Sequence, residues 1–270
     1  MSMITILTQI LHRNPFDIVA VLIYLLCWIG YEPFLKKISK KSGLISKDLS
    51  VVRHAWMKEM VIRSFKMFDS NLMNHAVQSA STFSSANLLL IAAVAGVLFG
   101  GQIPIASVKQ LGIDVSSPVL LEIKLALVLL CLSRGFLNFI WSIRQMNYCA
   151  AAMGSLPDNM DKPTATAFSD AMSNILEPAM SNFSQGVRGY YFALAAAAWL
   201  FGPLALIIAS IGAITLLGWR QSRSQTAMGL RQLRDLLEAH PYPTPTRPIV
   251  RDDDIKAAEN DAAHKDLSGF

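Results

Sequence analysis

The sequence predicts an all-α membrane protein: a bundle of five transmembrane helices, alternatively four, with two amphipathic helices at the cytoplasmic interface. Three observations predict it. Of the 270 residues, 53% are hydrophobic and only 16% are charged, where soluble domains carry roughly 25% charged residues. The mean hydropathy is +0.39. The apolar residues also fall into blocks, 16–34, 77–99, 125–143 and 190–219. A helix needs about 20 such residues to cross a hydrocarbon core of about 30 Å.

The first block, 16–34, is followed by Lys36, Lys37, Lys40 and Lys41 and by no small-residue cleavage site. It reads as a retained anchor rather than a secretory signal. The positive-inside rule puts these lysines in the cytoplasm with Lys47, Arg53, Lys58, Arg63 and Lys66, and therefore the N-terminus outside. The 101–118 connection carries one Lys and one Asp, as an outside loop should. The 77–99 span then runs outward, and 123–144 returns inward to end at Arg144.

A single helix over 190–219 would leave Arg220, Arg223, Arg231 and Arg234 outside, against the charge rule. Gly202-Pro203 offers a reversal, with Gly past the end of one helix and Pro at the first position of the next. The preferred reading is a hairpin of spans 185–201 and 203–220. Its rival is one Pro-kinked helix with the C-terminus outside.

Between the spans, 49–69 sets Val52, Trp56, Met60 and Phe65 at near-helical spacing among basic residues, the pattern of an interfacial amphipathic helix. A second such helix, 163–184, carries Phe168, Met172, Leu176 and Phe183 and is expected to break at Pro178. Residues 1–240 form one helical membrane domain in this reading. From 241 to 270 the chain is Pro-rich and then charged without an apolar period, and reads as a disordered tail.

Ala76, Ala80, Ser84, Leu88, Ala92, Gly96 and Gly100 fall four apart in the second span, and all but Leu88 are small. Such a row lets helix backbones approach closely in lipid. A tight bundle core is expected, without a wide aqueous pore.

Three stretches carry a family resemblance: Arg53, Trp56, Met60, Arg63 and Asp69 with 79–83; the 141–149 string WSIRQMNYC; and the 186–194 string GVRGYYFAL with Trp199. Together they cover most of 15–225, and the chain resembles the domain of unknown function 599 family of bacterial and plant membrane proteins. The resemblance implies a polytopic membrane protein and no assigned activity. Members often carry a basic residue at the Asn138 position, where this chain has Arg134 one helical turn earlier; a role tied to that charge does not transfer directly.

Two sets of residues stand out as candidate sites. Cys131, Arg134, Asn138, Trp141 and Gln145 share one face of the third span. A guanidinium at bilayer depth is costly and calls for partners, water or a task. Asn87, Ser84, Ser85 and Ser210 come to similar depth, but no carboxylate does; Asp17, near the outer surface, and Glu32, near the inner one, could meet Arg134 only through tilt or a water-filled cleft. Arg134, Asn138 and Asn87 thus form an intramembrane polar site, read either as attracting an anion or, preferably, as a structural cation satisfied by Asn87, hydroxyls and carbonyls. The second set gathers by topology at the cytoplasmic interface. Its expected ligand residues are Arg144 and Arg188, with Asn147, Tyr191 and Arg53 in support, suited to an anionic lipid head group. The plainer reading is a positive-inside and aromatic-belt distribution, with Asp69 pairing Arg144 or Arg188.

No catalytic residue, cofactor or metal site is expected. Cys27, Cys131 and Cys149 are isolated from one another, and the five histidines show no ligand spacing. The P-loop, dinucleotide and nucleophile-elbow motifs do not occur. The pI near 9.2 reflects basic residues flanking spans and implies no nucleic acid. The expected function is a non-catalytic accessory, scaffold or interaction component of a membrane assembly. The alternatives are an anion or solute carrier using Arg134, and a binder of anionic lipid through the interfacial cluster. The expected partners are cytoplasmic-side anionic lipids and a membrane protein or second copy. The expected location is the bacterial cytoplasmic membrane, with the C-terminus inside.

Overall fold

Each apolar block folds as α-helix, the form that satisfies its backbone polar groups internally, and several helices run well beyond the block that seeds them. The structure, a computed structural model, describes residues 15–38, 45–100, 117–157 and 160–239, and these are helical without strands. The helices are α1 (Pro15–Ile38), α2 (Ile45–Ile62), α3 (Met67–Phe99), α4 (Pro118–Gly154) and α5 (Lys162–Ala198). A 3-10 turn, Trp199–Phe201, leads to α6 (Pro203–Ser222) and α7 (Gln225–Ala239). Met67–Phe99 and Pro203–Ala239 are long and apolar enough to cross a membrane, and Pro15–Tyr31 is a shorter apolar helix.

The reversal at Gly202 is present. Its φ of +117° favours glycine, Pro203 opens α6, and α6 folds back on α5 so that Arg220 reaches the Tyr191 hydroxyl. Elsewhere the boundaries differ from expectation. The 163–184 helix and the 185–201 segment are one continuous α5, unbroken at Pro178. Leu176 and Ala179 on either side of that proline are fully buried, and this packing holds the helix through the hydrogen bond that Pro178 lacks. The expected 49–69 interfacial helix stops at Ile62. Asp69, at its expected end, instead starts α3, accepting hydrogen bonds from Trp56 Nε1 (2.7 Å) and Arg63 Nη1 (2.6 Å). That carboxylate also suits the positive end of the helix dipole. Helix α2 packs against α5 and α7, so much of its amphipathic pattern covers protein. The expected tail, 241–270, the lysines at 40 and 41 and most of the 101–118 connection lie outside the described residues.

The core divides in two along the long helices. At one end, α1, α4, α5 and α6 enclose Tyr24, Leu132, Phe192, Ala196, Trp199 and Leu206. At the other, α2 to α5 enclose Met57, Met60, Met73, Met146, Cys149, Met172 and Leu176. Phe83, Phe139, Phe183 and Tyr190 bridge the two, with ring centroids 5.8 to 6.2 Å apart.

The pairing of α4 with α5 is the most extensive. It is made close by glycine: a Cβ on Gly189 would lie 3.4 Å from the Gly135 Cα, and one on Gly186 would lie 2.6 Å from the Phe139 ring. The small-residue row of α3 serves the bundle in one half only. Ala80 and Ser84 are buried, whereas Leu88, Ala92 and Gly96 face outward.

Phe139 is fully buried and stacked among three aromatic rings, so it has no free space into which to retreat. Gly186→Ala is therefore expected to destabilise the bundle by about 1–3 kcal/mol, read as a lower thermal unfolding temperature in detergent. Combining it with Phe139→Leu should recover part of the loss; an unshifted transition in the single variant would contradict the packing described.

Candidate functional site

An open cleft of 260 Å³ lies where α1, α4 and α5 meet, lined by Trp28, Ile29 and Tyr31, by Cys131, Arg134, Gly135 and Asn138, and by Gln185, Arg188, Gly189 and Phe192. Two arginines from different helices share it. Arg134 stacks over the Trp28 ring at 5.2 Å and Arg188 over the Tyr31 ring at 5.7 Å. Asn138 and Gln185 add neutral donors, and no carboxylate lines the cleft among the described side chains, which do not include that of Glu32. Behind Cys131 and Phe192 of the lining lies Tyr24, whose hydroxyl is 2.9 Å from Cys131 Sγ and donates to the Phe192 carbonyl at 3.1 Å. Tyr31 is further fixed by Gln221, whose Nε2 donates to its hydroxyl at 3.0 Å.

The geometry of the glycine contact produces this convergence. Arg134 precedes Gly135 and Arg188 precedes Gly189, so each arginine sits about 100° around its helix from the line of backbone contact. Both emerge on the side that α1 covers. The cleft lies eleven residues along α1 from Asp17, about 16 Å at 1.5 Å per residue. Asp17 accepts a hydrogen bond from Trp199 Nε1 at 2.5 Å.

The sequence-derived sites are regrouped. Arg134 and Asn138 line the cleft, but Asn87 turns away from it: its Nδ2 donates to the Leu132 carbonyl at 3.0 Å. Its buried Oδ1, the atom that could accept from a guanidinium, takes no hydrogen bond from Arg134, and Ser210 bonds to the Leu206 carbonyl of its own helix. The interfacial set of Arg144, Arg188, Asn147, Tyr191 and Arg53 is not brought together. Arg188 belongs to the cleft. Arg144 donates to the Tyr148 hydroxyl at 2.6 Å and stacks near Trp141, with Asn147 exposed beside it. Tyr191 takes Arg220, and Arg53 pairs with Glu177 at 2.6 Å. Asp69 pairs with Arg63 rather than with Arg144 or Arg188.

Trp28, Tyr31 and Gln185 were missed by sequence reasoning. The aromatics in the C-terminal half of α1 were visible, but nothing in their spacing identifies which helix they would face. Also missed was α7, whose Arg234 donates to the fully buried Asp48 of α2 at 2.6 Å while Arg231 donates to the Ser222 carbonyl ending α6 at 3.0 Å. Among the described residues no group of three His, Cys, Asp or Glu side chains gathers to hold a metal.

The Asp48 clasp ties α7 to the bundle with few apolar contacts, since Ala227 is its buried residue. A charge-assisted hydrogen bond of this kind holds α7 against local opening, so Asp48→Ala should raise amide exchange over 225–239 by roughly 10- to 100-fold. Exchange unchanged in α7 would refute the clasp. Burial also pushes the Cys149 thiol up to about 11. Alkylation of Cys149 at neutral pH is accordingly expected to be slow in the folded chain and to accelerate on unfolding or as pH rises toward that value.

The profile of the family described as Protein of unknown function, DUF599, matches residues 19–226. No curated protein and no solved structure matches the chain. The family match takes in α1 to α6 and the whole of the cleft, and on it the chain belongs to the DUF599 family.

Proposed function

We propose that the chain is a five-span, non-catalytic membrane protein that binds an oxyanion, a phosphate, sulfate or carboxylate group, in the Arg134–Arg188 cleft. The observation that carries this reading is the convergence of two guanidinium groups on one cleft, with no carboxylate among its described lining residues. Magnitudes favour a ligand over mere satisfaction. An arginine at bilayer depth costs about 2.5–3.5 kcal/mol on insertion scales, and stacking on an aromatic ring returns about 0.5–2 kcal/mol. Two like charges facing one cleft add repulsion, which a bound anion removes.

Membrane insertion is supported by apolar faces with no protein cover: Leu26 is 73% exposed, Leu89 72%, Leu204 69% and Ile208 63%. Contiguous apolar surface of this kind marks interaction with membrane or protein. The spans are α1, α3 from about residue 77, the 123–144 part of α4, α5 from 185, and α6. Helices α2 and α7 and the flanking ends of α3 to α5 form a cytoplasmic layer, with the N-terminus outside by the charge rule. The outward small residues of α3, where Gly96 has open space, give an accessory protein a helix-packing surface.

A reporter fused after Phe270 should read as cytoplasmic, and an external signal would end the five-span topology. Inorganic phosphate should bind the detergent-solubilised chain in calorimetry, and each of Arg134→Gln and Arg188→Gln should weaken it by about tenfold or more. Heat signals unaltered by both substitutions would sink the anion reading.

A further inference from the structure

We infer that the oxyanion belongs to a lipid: the cleft takes the phosphate of a phospholipid that enters sideways from the bilayer between α1 and α4. The inference rests on the anion-binding reading above and adds the identity and route of the ligand. Its first support is the way α1 is held. Helix α1 packs chiefly on α6, and its contacts with α4 include the Tyr24–Cys131 hydrogen bond and the Trp28–Arg134 stack. The cleft is open to the surface beside those contacts, where its lining residue Ile29 is exposed.

The rim of the opening is apolar while its floor is charged. On α1, Ile29 lines the cleft and is itself 68% exposed, with Leu26 one turn away on the same outward face. On α4, Leu130 and Leu137 flank Arg134 one turn to either side, and both are exposed. A solute arriving from water has no use for such a rim. A lipid does: its phosphate meets the guanidinium forks, which suit phosphate oxygens bidentately, while its chains lie along the leucine and isoleucine side chains. At 260 Å³ the cleft is also below the roughly 300–1,000 Å³ that whole small-molecule ligands occupy, a size suited to a head group whose tail stays outside.

Native mass spectrometry of the full-length chain in detergent tests this with three probes: phosphatidic acid, glycerol phosphate and inorganic phosphate. Phosphatidic acid is expected to bind at one site at least about tenfold more tightly than either water-soluble phosphate, because only it contributes buried apolar area. Arg134→Gln combined with Arg188→Gln should abolish that site, and Arg134→Lys with Arg188→Lys, which keeps both charges, should retain part of it and so separates lost binding from lost folding. Leu130→Gln combined with Leu137→Gln, which makes the rim polar outside the cleft lining, should weaken phosphatidic acid while leaving inorganic phosphate unchanged. Water-soluble phosphate binding as tightly as the lipid, with both needing the arginines, would overturn the lipid assignment and leave the anion site standing. Lipid binding indifferent to the double glutamine variant, or no binding of any of the three, would overturn both.

Discussion

The backbone approach of α4 and α5 at Gly135, Gly186 and Gly189 is the constraint on which the rest of the bundle depends. A Cβ at Gly186 would run into the Phe139 ring, and at Gly135 and Gly189 it would already stand at contact distance from the opposite helix, so larger side chains there would find no room in a close-packed interior. Because the flanking residues are Arg134 and Arg188, the same contact fixes where the two cations point. The cleft is therefore a consequence of helix packing, not a separate device laid on top of it. Asn87 belongs to this junction as well, bonding the Leu132 carbonyl next to Gly135.

Around that junction the protein has two different interiors. The end that holds Tyr24, Phe192 and Trp199 is sealed by specific hydrogen bonds and by aromatic edges, with the Tyr24 and Tyr31 rings 6.5 and 5.8 Å from Phe192. The opposite end is filled by methionines, whose unbranched side chains adapt to irregular gaps. Polar anchors there sit at the margins: Asp69 at the α2–α3 corner and Asp48 where α7 docks. Each of these carboxylates is fully buried and meets arginine, as buried charge requires. Helix α1 touches this second layer little, which leaves it free to serve as one wall of the cleft.

Much of the fold was legible because its causes are local. Gly202-Pro203 reverses the chain through backbone conformation alone, and the apolar blocks identify α1, α3, α4 and α6 through hydropathy. The boundaries were less legible where packing overrides local preference, as at Pro178, which α5 passes through, and at Ile62, where α2 stops because Trp56 and Arg63 turn to Asp69. The amphipathic pattern of α2 looked like a membrane surface, since a helix face covered by protein and one covered by lipid have the same period. For the candidate site, Arg134, Asn138 and Arg188 were all picked out as unusual, but were assigned to two sites. Rise along each helix separates positions along the sequence; it says nothing about which residues of α4 and α5 meet.

The sequence by itself determined that this is an all-helical chain of its family, with apolar helices, a glycine–proline reversal and an arginine in an apolar run. Those features follow from composition, periodicity and local backbone chemistry. Only the tertiary structure decided that Arg134 stacks on Trp28 instead of bonding to Asn87, that Arg188 shares its cleft, and that α7 clasps α2. Each depends on the register and rotation of one helix against another, which are set by contacts between residues distant in sequence, such as the glycine approach and the buried charge pairs.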